Sequence, residues 1–406
     1  MDPAEKRIVI VGAGQAGHSC AARLRALGHA GPLTLIGGEQ AAPYQRPPLS
    51  KGYLLGETAR ERLFLRPEAF YAEAGIDLRL GREATGIDPD ARTVIVDGEP
   101  LPYDDLVLAT GARPRQLSEA QGYALTGHYT IRTIACIDSF EPMVREGGRL
   151  LVVGGGYIGL EAAAVARHRG MDVTVVEMGP RILGRVASAE TADWFRDLHA
   201  ARGVTILEGV GLETLTGEGG RATGARLTDG REIALDLCLV GIGVEPETPI
   251  AAEAGCAQTA GITVDEMGRT SVDGIWAAGD AASLPYRGRH VRLENVQNAI
   301  DQAEAVAANL MGAEMAYQPA PWFWSDQYDV KLQIAGLNTG HDRVIVRADG
   351  AGRSHWHFDG DRLTSVDAMN APRDYMTAKR LIDAGRSPDP VAVADVNAPV
   401  KSLLAA

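Results

Sequence analysis

Cysteine is scarce in this sequence: there are four among 406 residues, far apart and without a CxxC or CxxxxC pair. That spacing excludes a metal cluster or a dithiol redox centre built from neighbouring cysteines, and no metal site is predicted. Cys20 lies in a predicted helix and Cys238 in an apolar run, so both are interpreted as small buried hydrophobic residues. Aromatic side chains are also few, at 5%, which makes the cluster Trp322-Phe323-Trp324 stand out.

Positive charge and long apolar runs are lacking as well. The formal net charge is −13, which argues against nucleic acid or an anionic membrane as the main partner. No stretch approaches the roughly 18 apolar residues that span a bilayer. The first residues, MDPAEKRIVIVGAG, lack a charged segment followed by a cleavage site. We therefore expect a cytoplasmic protein.

Glycine, by contrast, is abundant at 48 residues, and part of it forms two motifs of the same layout. The first reads IVIVGAGQAG over 8–17 and continues as a helical pattern to Leu27 and an apolar strand over 33–36. The second reads LLVVGGGYIG over 150–159 and continues as a helical pattern to Arg169 and a strand over 172–177. Each is typical of a βαβ unit in a parallel sheet.

Glycines at this spacing after a strand indicate dinucleotide binding. A side chain would obstruct the turn and keep the backbone away from the pyrophosphate, and the helix N-terminus favours that anion. The first motif places these residues at a dinucleotide: Gly12, Gly14, Gln15, Ala16 and Gly17. The second motif does the same with Gly154, Gly156, Tyr157, Ile158 and Gly159.

An acid at the end of the second strand of each unit is expected to bind the ribose. Glu177 stands 18 residues after Gly159, where a carboxylate accepts both ribose hydroxyls and repels a 2′-phosphate, so this site should prefer NADH. In the first unit the strand ends in Ile36-Gly37-Gly38-Glu39, so the acid comes one residue later than usual. Glu39 is nevertheless predicted to bind the ribose there.

Further strand patterns cover 93–96, 105–110 and 235–243, and a helical pattern runs from about Asn295 to Leu310. The last 90 or so residues differ in character. They show strand patterns at 331–335, 343–346 and 363–367, followed by a helical pattern near 376–384.

The segment Pro43-Tyr-Gln-Arg-Pro-Pro-Leu-Ser-Lys51 resembles the flavin segment of NADH-dependent ferredoxin reductases of bacterial cytochrome P450 and ring-dioxygenase systems. The resemblance covers almost the whole chain and includes six further motifs: Ala109-Thr-Gly111, the region of Arg132, the second glycine loop, Ala278-Gly-Asp280, Glu294-Asn-Val296 and Pro321-Trp-Phe-Trp-Ser-Asp326. Gly38 departs from the pattern, because the family usually has the ribose-binding acid there.

The resemblance implies an α/β fold of glutathione-reductase type, with two Rossmann-like dinucleotide-binding domains and a C-terminal α+β domain. We expect an FAD-binding domain formed by residues 1–112 and 237–317, an NAD-binding domain at 113–236 and the C-terminal domain at 318–406. The cofactors implied are FAD and NADH.

The resemblance also assigns roles to individual residues. Lys51 and Glu161 are the expected catalytic residues, with Lys51 at the flavin N5 edge and Glu161 near the nicotinamide, where it bonds the carboxamide or Lys51. For Glu161 the alternative is an acid that complements the helix dipole. The other residues implied at FAD are Arg46, Ala84, Ala109, Thr110, Gly111, Arg132, Asp280, Val296 and Trp324. Those implied at NAD are Arg185 and Gly243.

The expected reaction is hydride transfer from NADH to FAD and single-electron transfer to a transient [2Fe-2S] ferredoxin partner, by a monomer or weak homodimer. Two alternatives stay open: an NADH oxidase or peroxidase, which would need a redox cysteine that residues 40–52 lack, and an interaction protein resembling apoptosis-inducing factor. Ferredoxins are generally acidic, so docking is expected at basic residues. The candidates are Arg62, Arg66, Lys331, Arg373, Lys379 and Arg380.

Overall fold

The computed structural model describes residues 2–350 and 352–405. In chain order its strands are β1 (Ile8–Val11), β2 (Leu33–Gly37), β3 (Ile76–Leu80), β4 (Ala84–Asp88), β5 (Thr93–Val96), β6 (Glu99–Pro102), β7 (Asp105–Leu108), β8 (Ala112–Pro114), β9 (His128–Tyr129), β10 (Arg149–Val153), β11 (Asp172–Glu177), β12 (Thr205–Glu208), β13 (Leu212–Glu218), β14 (Arg221–Leu227), β15 (Glu232–Ala234), β16 (Leu237–Val240), β17 (Val244–Pro246), β18 (Ile262–Thr263), β19 (Ile275–Ala277), β20 (Ala282–Tyr286), β21 (Arg289–Val291), β22 (Trp322–Gln327), β23 (Val330–Gly336), β24 (Arg343–Asp349), β25 (Gly352–Asp359) and β26 (Arg362–Met369). The helices are α1 (Gln15–Ala26), α2 (Glu68–Glu73), α3 (Ile134–Phe140), α4 (Tyr157–His168), α5 (Ala189–Ala201), α6 (Pro249–Glu253), α7 (Val296–Leu310), α8 (Pro372–Asp383) and α9 (Pro390–Ala394).

The chain forms two compact units. The first unit comprises the chain up to Gln45, Arg60–Arg113 and Glu245–Pro321. The second unit comprises Arg46–Ala59, Pro114–Val244 and the chain from Trp322 onward. The predicted division into an FAD domain, an NAD domain and a C-terminal domain stays a prediction.

A five-stranded parallel sheet of order β19-β7-β1-β2-β3 forms the centre of the first unit. Successive side chains of β1 point to opposite faces, as in any strand. Ile8 and Ile10 join the core beneath α1 and α7, whereas Val9 and Val11 join a second core with the small antiparallel sheet β4-β5-β6. Both faces of the sheet are therefore covered, which explains the continuous apolar run of the first motif.

A second five-stranded parallel sheet, of order β12-β11-β10-β16-β9, forms the centre of the second unit. Its central strand β10 is buried from Leu150 to Val153 and leads through the second glycine motif into α4. A three-stranded antiparallel sheet, β13-β14-β15, packs on one face of it through a shared apolar core. Each parallel sheet thus has its glycine motif at the carboxyl end of a central strand.

The C-terminal residues of the second unit form a five-stranded antiparallel sheet of order β22-β23-β26-β25-β24. Helix α8 packs on this sheet, and Trp356, Phe358 and Leu381 are buried between them. Nowhere in the described part of the chain does a helix have the length and hydropathy that crossing a bilayer requires.

The predicted strands and helices of the two glycine motifs are confirmed to within about two residues at their ends. In the C-terminal region, the strand patterns at 331–335, 343–346 and 363–367 correspond to β23, β24 and β26. Strands β22 and β25 were not predicted, and the last long helix, predicted to begin near residue 376, begins at Pro372 as α8. Proline is well tolerated in the first turn of a helix because its missing N–H has no intrahelical acceptor there.

Candidate functional site

The first glycine loop, Gly12–Gly17, has one open position between two closed ones. A Cβ atom at Gly12, whose φ is +111°, would lie 2.1 Å from the Ala109 carbonyl oxygen. A Cβ at Gly17 would lie 1.9 Å from the Gly12 carbonyl oxygen. A Cβ at Gly14 would meet nothing within 4 Å. Gly12 and Gly17 are therefore required by the packing of the loop, whereas Gly14 keeps its outer face clear.

The second glycine loop, Gly154–Gly159, repeats this geometry in the second unit. Gly154 has a φ of +103°, and a Cβ there would lie 2.3 Å from the Gly241 carbonyl oxygen. A Cβ at Gly159 would lie 2.4 Å from the Gly154 carbonyl oxygen, and one at Gly156 would meet nothing within 4 Å. The middle glycine is thus again the one that leaves room outside the protein.

The helices that follow the two loops begin without a side-chain cap. Gly14 and Gly156 are the N-cap residues of α1 and α4, and neither helix start receives a side-chain hydrogen bond. The first amide groups of a helix have no intrahelical acceptor, and the helix dipole favours an anion beside them. A pyrophosphate at each loop would meet both needs, so the residues fit one dinucleotide per unit.

Two of the polar groups predicted at FAD are held in place within the first unit. Tyr44 donates its hydroxyl to Glu39 Oε2 at 2.6 Å, which orients the carboxylate just after β2. A Cβ at Gly38 would meet nothing within 4 Å, so the usual position of the acid has room but no side chain. Thr110 donates its hydroxyl to the Glu247 carbonyl oxygen at 2.5 Å, directly after β7.

The segment of Asp280 lies against the first turn of α1. A Cβ at Gly279 would be 2.9 Å from the Ala16 Cβ, and the Gly279 amide donates to Gln302 at 2.9 Å. Val296 is the first residue of α7, so its amide has no intrahelical acceptor. The first unit therefore brings these residues to the side of the sheet where the first loop lies. Gln15, Ala84, Ala109 and Gly111 belong to this unit as well, whereas the predicted FAD residues Arg46, Lys51, Arg132 and Trp324 belong to the second unit.

Glu177 closes over the second glycine loop from the end of β11. Its Oε2 accepts the Gly155 amide at 2.8 Å, and its Oε1 accepts the Gly179 amide at 2.7 Å. Two backbone donors therefore fix the carboxylate beside the loop. This is the place expected for the acid that binds the ribose of NADH.

Two arginines flank Gly243. The family resemblance predicts that Gly243 lies at the nicotinamide ribose. A Cβ at Gly243 would lie 3.3 Å from the Arg185 guanidinium and 4.0 Å from Arg115 Cδ, and the Arg115 amide donates to the Gly243 carbonyl oxygen at 2.9 Å. Arg185 is exposed. Arg115 was not predicted, and its position suits contact with the same anionic ligand.

Lys51 and Glu161 form an ion pair inside the second unit. Lys51 Nζ lies 2.8 Å from Glu161 Oε2, and the exposed fractions of the two side chains are 18% and 3%. Ser50 also donates its hydroxyl to Oε2, at 2.5 Å, and Ser325 donates to Oε1 at 2.6 Å. Three donors therefore surround a nearly buried carboxylate, as a buried charge requires.

The segment Arg46–Ala59 is bound to the second unit by several polar contacts. Arg46 donates to the Arg132 carbonyl oxygen at 2.5 Å, and Tyr53 donates to Asp138 at 2.6 Å. Arg169 donates to the Leu54 carbonyl oxygen at 3.3 Å. These contacts fix the position of Lys51, which follows a single turn of helix at Pro47–Ser50.

Strand β22 presents alternate side chains to α4. Phe323 packs on Tyr157 with the ring centres 4.6 Å apart, and Ser325 reaches Glu161. Tyr157 and Glu161 are four residues apart on a helix and so share a face, as residues two apart do on a strand. Trp324 points the other way and stacks on Trp322 at 5.4 Å.

Tyr157 has an inward-facing side chain. Its hydroxyl is buried and has no hydrogen-bond partner among the described residues, and burial raises its pKa well above the usual value, with Asp367 and Glu161 adding to the shift. The Tyr157 side chain therefore faces the protein interior, and only its backbone could contact a dinucleotide. The side chain of the neighbouring Ile158 is 44% exposed.

Cys20 and Cys238 are completely buried, and burial raises the pKa of each thiol to about 12. The reactive form of cysteine is the thiolate, so neither group is suited to redox work at neutral pH. This agrees with their interpretation as small hydrophobic residues.

Four polar residues around Glu161 were not predicted from the sequence: Ser50, Ser325, Gln327 and His199. Ser50 and Ser325 lie inside recognised motifs, but only the strand geometry of β22 places Ser325 on the same side as Phe323. No comparable signal marks His199, because its partner Gln327 is 128 positions away in the sequence.

Two glycine loops of one shape, the second with a ribose-type acid held across it, define an oxidoreductase that binds two dinucleotides. The family model described as "Pyridine nucleotide-disulphide oxidoreductase" matches residues 6–303, and the model described as "Reductase C-terminal" matches residues 322–404. Together they cover nearly the whole chain.

The chain is also similar to individual proteins. It is 42% identical to rhodocoxin reductase of Rhodococcus erythropolis, over 98% of this chain and 94% of that protein. It is 40% identical to the ferredoxin–NAD(+) reductase component of the anthranilate 1,2-dioxygenase system of Burkholderia cepacia, over 98% of both. The crystal structure of a covalent putidaredoxin reductase–putidaredoxin complex matches with a TM-score of 0.95 and 37% identity, over 98% of both chains.

The chain belongs to the pyridine nucleotide-disulphide oxidoreductase family and, within it, to the ferredoxin reductases. It is an FAD-dependent oxidoreductase that uses NAD(H). The predicted family, the fold class with its two Rossmann-like domains and C-terminal domain, and both cofactors are thereby confirmed. The roles of the individual site residues stay predictions.

Proposed function

We propose that this protein binds FAD at the first glycine loop and NADH at the second, and reduces a [2Fe-2S] ferredoxin that serves a P450 or a ring-hydroxylating dioxygenase. The observation that carries the proposal is the repeated loop geometry, with Gly14 and Gly156 open and Glu177 fixed beside the second loop. Bound FAD would supply an acceptor for a hydride and a donor of single electrons.

The residues of the chain would position the flavin and the nicotinamide and polarise their reacting groups, and none of them would form a covalent bond. Lys51 would bring a positive charge to the flavin edge, where negative charge develops when a hydride arrives. Glu161 would hold the nicotinamide carboxamide while neutralising Lys51. Position alone can supply about 7–11 kcal/mol of barrier reduction for two aligned reactants. Glu177 would select NADH because a 2′-phosphate would lie against its carboxylate.

The partner proposal is supported by the relatives named above, one of which is solved bound to putidaredoxin. Docking of an acidic protein would use local basic residues on a chain whose net charge is −13. Arg373 and Arg380 are seven residues apart on α8 and both exposed, so they are the strongest of the predicted candidates. We also propose a cytoplasmic monomer or weak homodimer with no nucleic-acid or membrane partner.

The test is an anaerobic titration of the purified protein with NADH and then with candidate [2Fe-2S] proteins, followed by flavin absorbance. We expect stoichiometric bleaching by NADH, weaker bleaching by NADPH and recovery of absorbance when ferredoxin is added. A colourless protein that cannot be reconstituted with FAD, or one that NADH does not bleach, would refute the proposal. Rapid aerobic consumption of NADH without ferredoxin would favour an oxidase instead.

A further inference from the structure

A continuous chain of hydrogen bonds runs from a surface turn to Glu161 inside the second unit. Tyr328 Oη lies 3.3 Å from His199 Nδ1, and His199 Nε2 lies 2.8 Å from Gln327 Oε1. Gln327 Nε2 lies 3.1 Å from Ser325 Oγ, and Ser325 Oγ lies 2.6 Å from Glu161 Oε1. His199, Gln327 and Ser325 are each fully buried.

All the bonds of this chain point the same way. Gln327 can only donate from its amide nitrogen and accept at its oxygen, so His199 must carry its proton on Nε2. Its bare Nδ1 then accepts from the Tyr328 hydroxyl. Ser325, which receives the amide proton of Gln327, is left to donate its own to Glu161. Aligned donors polarise one another, so each strengthens the bond that follows.

The surroundings of this hydrogen-bond chain favour the neutral forms of His199 and Tyr328. Burial lowers the pKa of His199, with the hydrogen bond to Gln327 opposing and Arg202 adding to the shift. Burial raises the pKa of Tyr328 to about 12. Arg202 stands over the Tyr328 ring, 4.8 Å from its centre, and pairs with Asp329 at the same turn. A neutral His199 can donate from one nitrogen only, which keeps the direction of the chain fixed.

The two oxygens of Glu161 are held from different parts of the chain. Oε2 accepts from Ser50 and Lys51. Among the described residues, Ser325 on β22 is the donor to Oε1. Ser325 therefore decides the rotation of the carboxylate and stabilises its charge from the side opposite Lys51.

We propose that Ser325 is a positioning residue for hydride transfer, and that the hydrogen-bond chain Tyr328–His199–Gln327–Ser325 fixes the orientation of the Glu161 carboxylate. This inference rests on the proposed function, because it assumes that Glu161 acts at the nicotinamide. It adds that a group outside both glycine motifs, at the start of the C-terminal sheet, sets the rate of flavin reduction.

Ser325→Ala is the direct test, in the FAD-loaded protein. Because Glu161 loses a charge-assisted hydrogen bond, we expect flavin reduction by NADH in stopped flow to slow about ten-fold, which corresponds to about 1.4 kcal/mol of barrier. The dissociation constant of NAD⁺ should change less than about three-fold, because the bond acts on orientation. Gln327→Glu, which replaces the amide donor with an acceptor at similar volume, should slow reduction similarly by drawing the Ser325 proton away from Glu161.

Ser354→Ala is the matched control. Ser354 is a fully buried serine of β25 in the same sheet and donates to Asp374 at 2.6 Å, so its removal also takes away a hydrogen bond to a carboxylate. We expect similar loss of thermal stability and unchanged flavin reduction. In a double-mutant cycle, Ser325→Ala should add little once Glu161→Gln is present, because both act through one carboxylate.

A second readout does not depend on activity. The ¹⁵N spectrum of the histidine side chains should show His199 as the neutral Nε2–H form at pH 7, and Gln327→Glu should change it. Three results would overturn the inference: equal reduction rates for Ser325→Ala and wild type, equal slowing by Ser354→Ala, or an Nδ1–H form of His199. Failure of NADH to reduce the wild type would refute the proposed function instead, and the spectrum would still test the hydrogen-bond chain.

Discussion

Lys51 donates from Nζ to Oε2 of Glu161 across 2.8 Å, although 110 positions separate the two residues in the sequence. This ion pair joins the two expected catalytic residues directly, and it links the segment Arg46–Ala59 to helix α4 within the second unit. A buried carboxylate that loses its cation is left as an uncompensated charge. Removal of Lys51 should therefore lower the free energy of unfolding as well as the rate of flavin reduction.

Lys51→Ala should slow flavin reduction by NADH far more than it weakens FAD retention. The variant removes the positive charge expected at the flavin edge and, within the described part of the chain, leaves Ser50 and Ser325 as the donors to Glu161. We expect a fall of at least about 100-fold in the reduction rate constant, which corresponds to about 2.7 kcal/mol of transition-state stabilisation. Stopped-flow absorbance measures the rate, and the flavin content of the purified protein measures retention.

Lys6→Ala is the control for that experiment. Lys6 also pairs with a nearly buried carboxylate, that of Asp105, at 2.8 Å, but this pair belongs to the first unit and the expected catalytic pair to the second. It should lower stability without slowing reduction. Lys51 has no part in the mechanism if its variant is reduced as fast as that of Lys6.

Glu177→Ala should raise the KM for NADH and narrow its advantage over NADPH. The carboxylate that would bind the ribose and repel a 2′-phosphate is lost, and the amides of Gly155 and Gly179 lose their acceptor. A ten-fold rise in KM, about 1.4 kcal/mol, is expected with little change in kcat. Steady-state kinetics with both nucleotides and a fixed electron acceptor measure the effect.

Glu208→Ala serves as the comparison for Glu177. Glu208 ends the neighbouring strand β12 directly opposite Glu177, and it likewise accepts a backbone amide, that of Ile182, at 2.8 Å. Its removal should leave the preference for NADH intact. Equal changes in the two variants would show that strand-end structure, and not ribose contact, governs the kinetics.

Gly14→Ala and Gly156→Ala should each weaken the binding of a different dinucleotide. Neither added methyl group meets a protein atom within 4 Å, so both variants should fold. The methyl group would instead stand where a pyrophosphate approaches. We expect Gly14→Ala to lower the FAD content while Gly156→Ala leaves FAD content unchanged and raises the KM for NADH.

Absorbance ratios and NADH kinetics on the two variants check this assignment. Gly17→Ala provides the contrast, because its methyl group would lie 1.9 Å from the Gly12 carbonyl oxygen and should destabilise the first unit outright. Reversed effects of the two variants would mean that the loops bind the opposite dinucleotides.

Asp367 should make stability depend on pH in an unusual direction. It is buried, and burial raises the pKa of its carboxyl to about 7, with the bonds to Thr191 and Ser188 opposing. In the unfolded chain the pKa of an aspartate is about 3.9. Between these values the folded state holds a proton that the unfolded state has lost. This contribution to stability is therefore complete below about pH 4 and is lost as pH rises towards 7.

The groups around Asp367 act against this trend. Burial lowers the pKa of His355 to about 4 and that of His357 to about 3, so the histidines add stability as pH rises through the same range. Asp367→Asn isolates the aspartate. The thermal midpoint of wild type minus that of the variant should fall steadily from pH 4.5 to 7.5. A difference independent of pH would show that Asp367 is ionised throughout.

The sequence was most informative where one segment carries a complete local instruction. Each glycine motif contains its strand, its turn and its helix, so the βαβ units and the two glycine loops could be predicted without knowing what surrounds them. Strand β22 was missed because its residues Trp322–Gln327 are half-buried aromatic and polar side chains with no clear apolar alternation. Strand β25 was missed for a related reason: it is buried over most of its length although it includes two histidines and a serine.

The sequence by itself determined the two dinucleotide loops, the acid Glu177 and the family of the chain, because these depend on residues close together along the backbone. Only the tertiary structure decided that Lys51, Ser50 and Ser325 meet around Glu161, and that Gln327 and His199 orient Ser325. Those contacts join residues that are more than 100 positions apart, with the exception of Gln327 and Ser325 on one strand. Their positions depend on how α4, α5 and β22 pack, which no local pattern specifies.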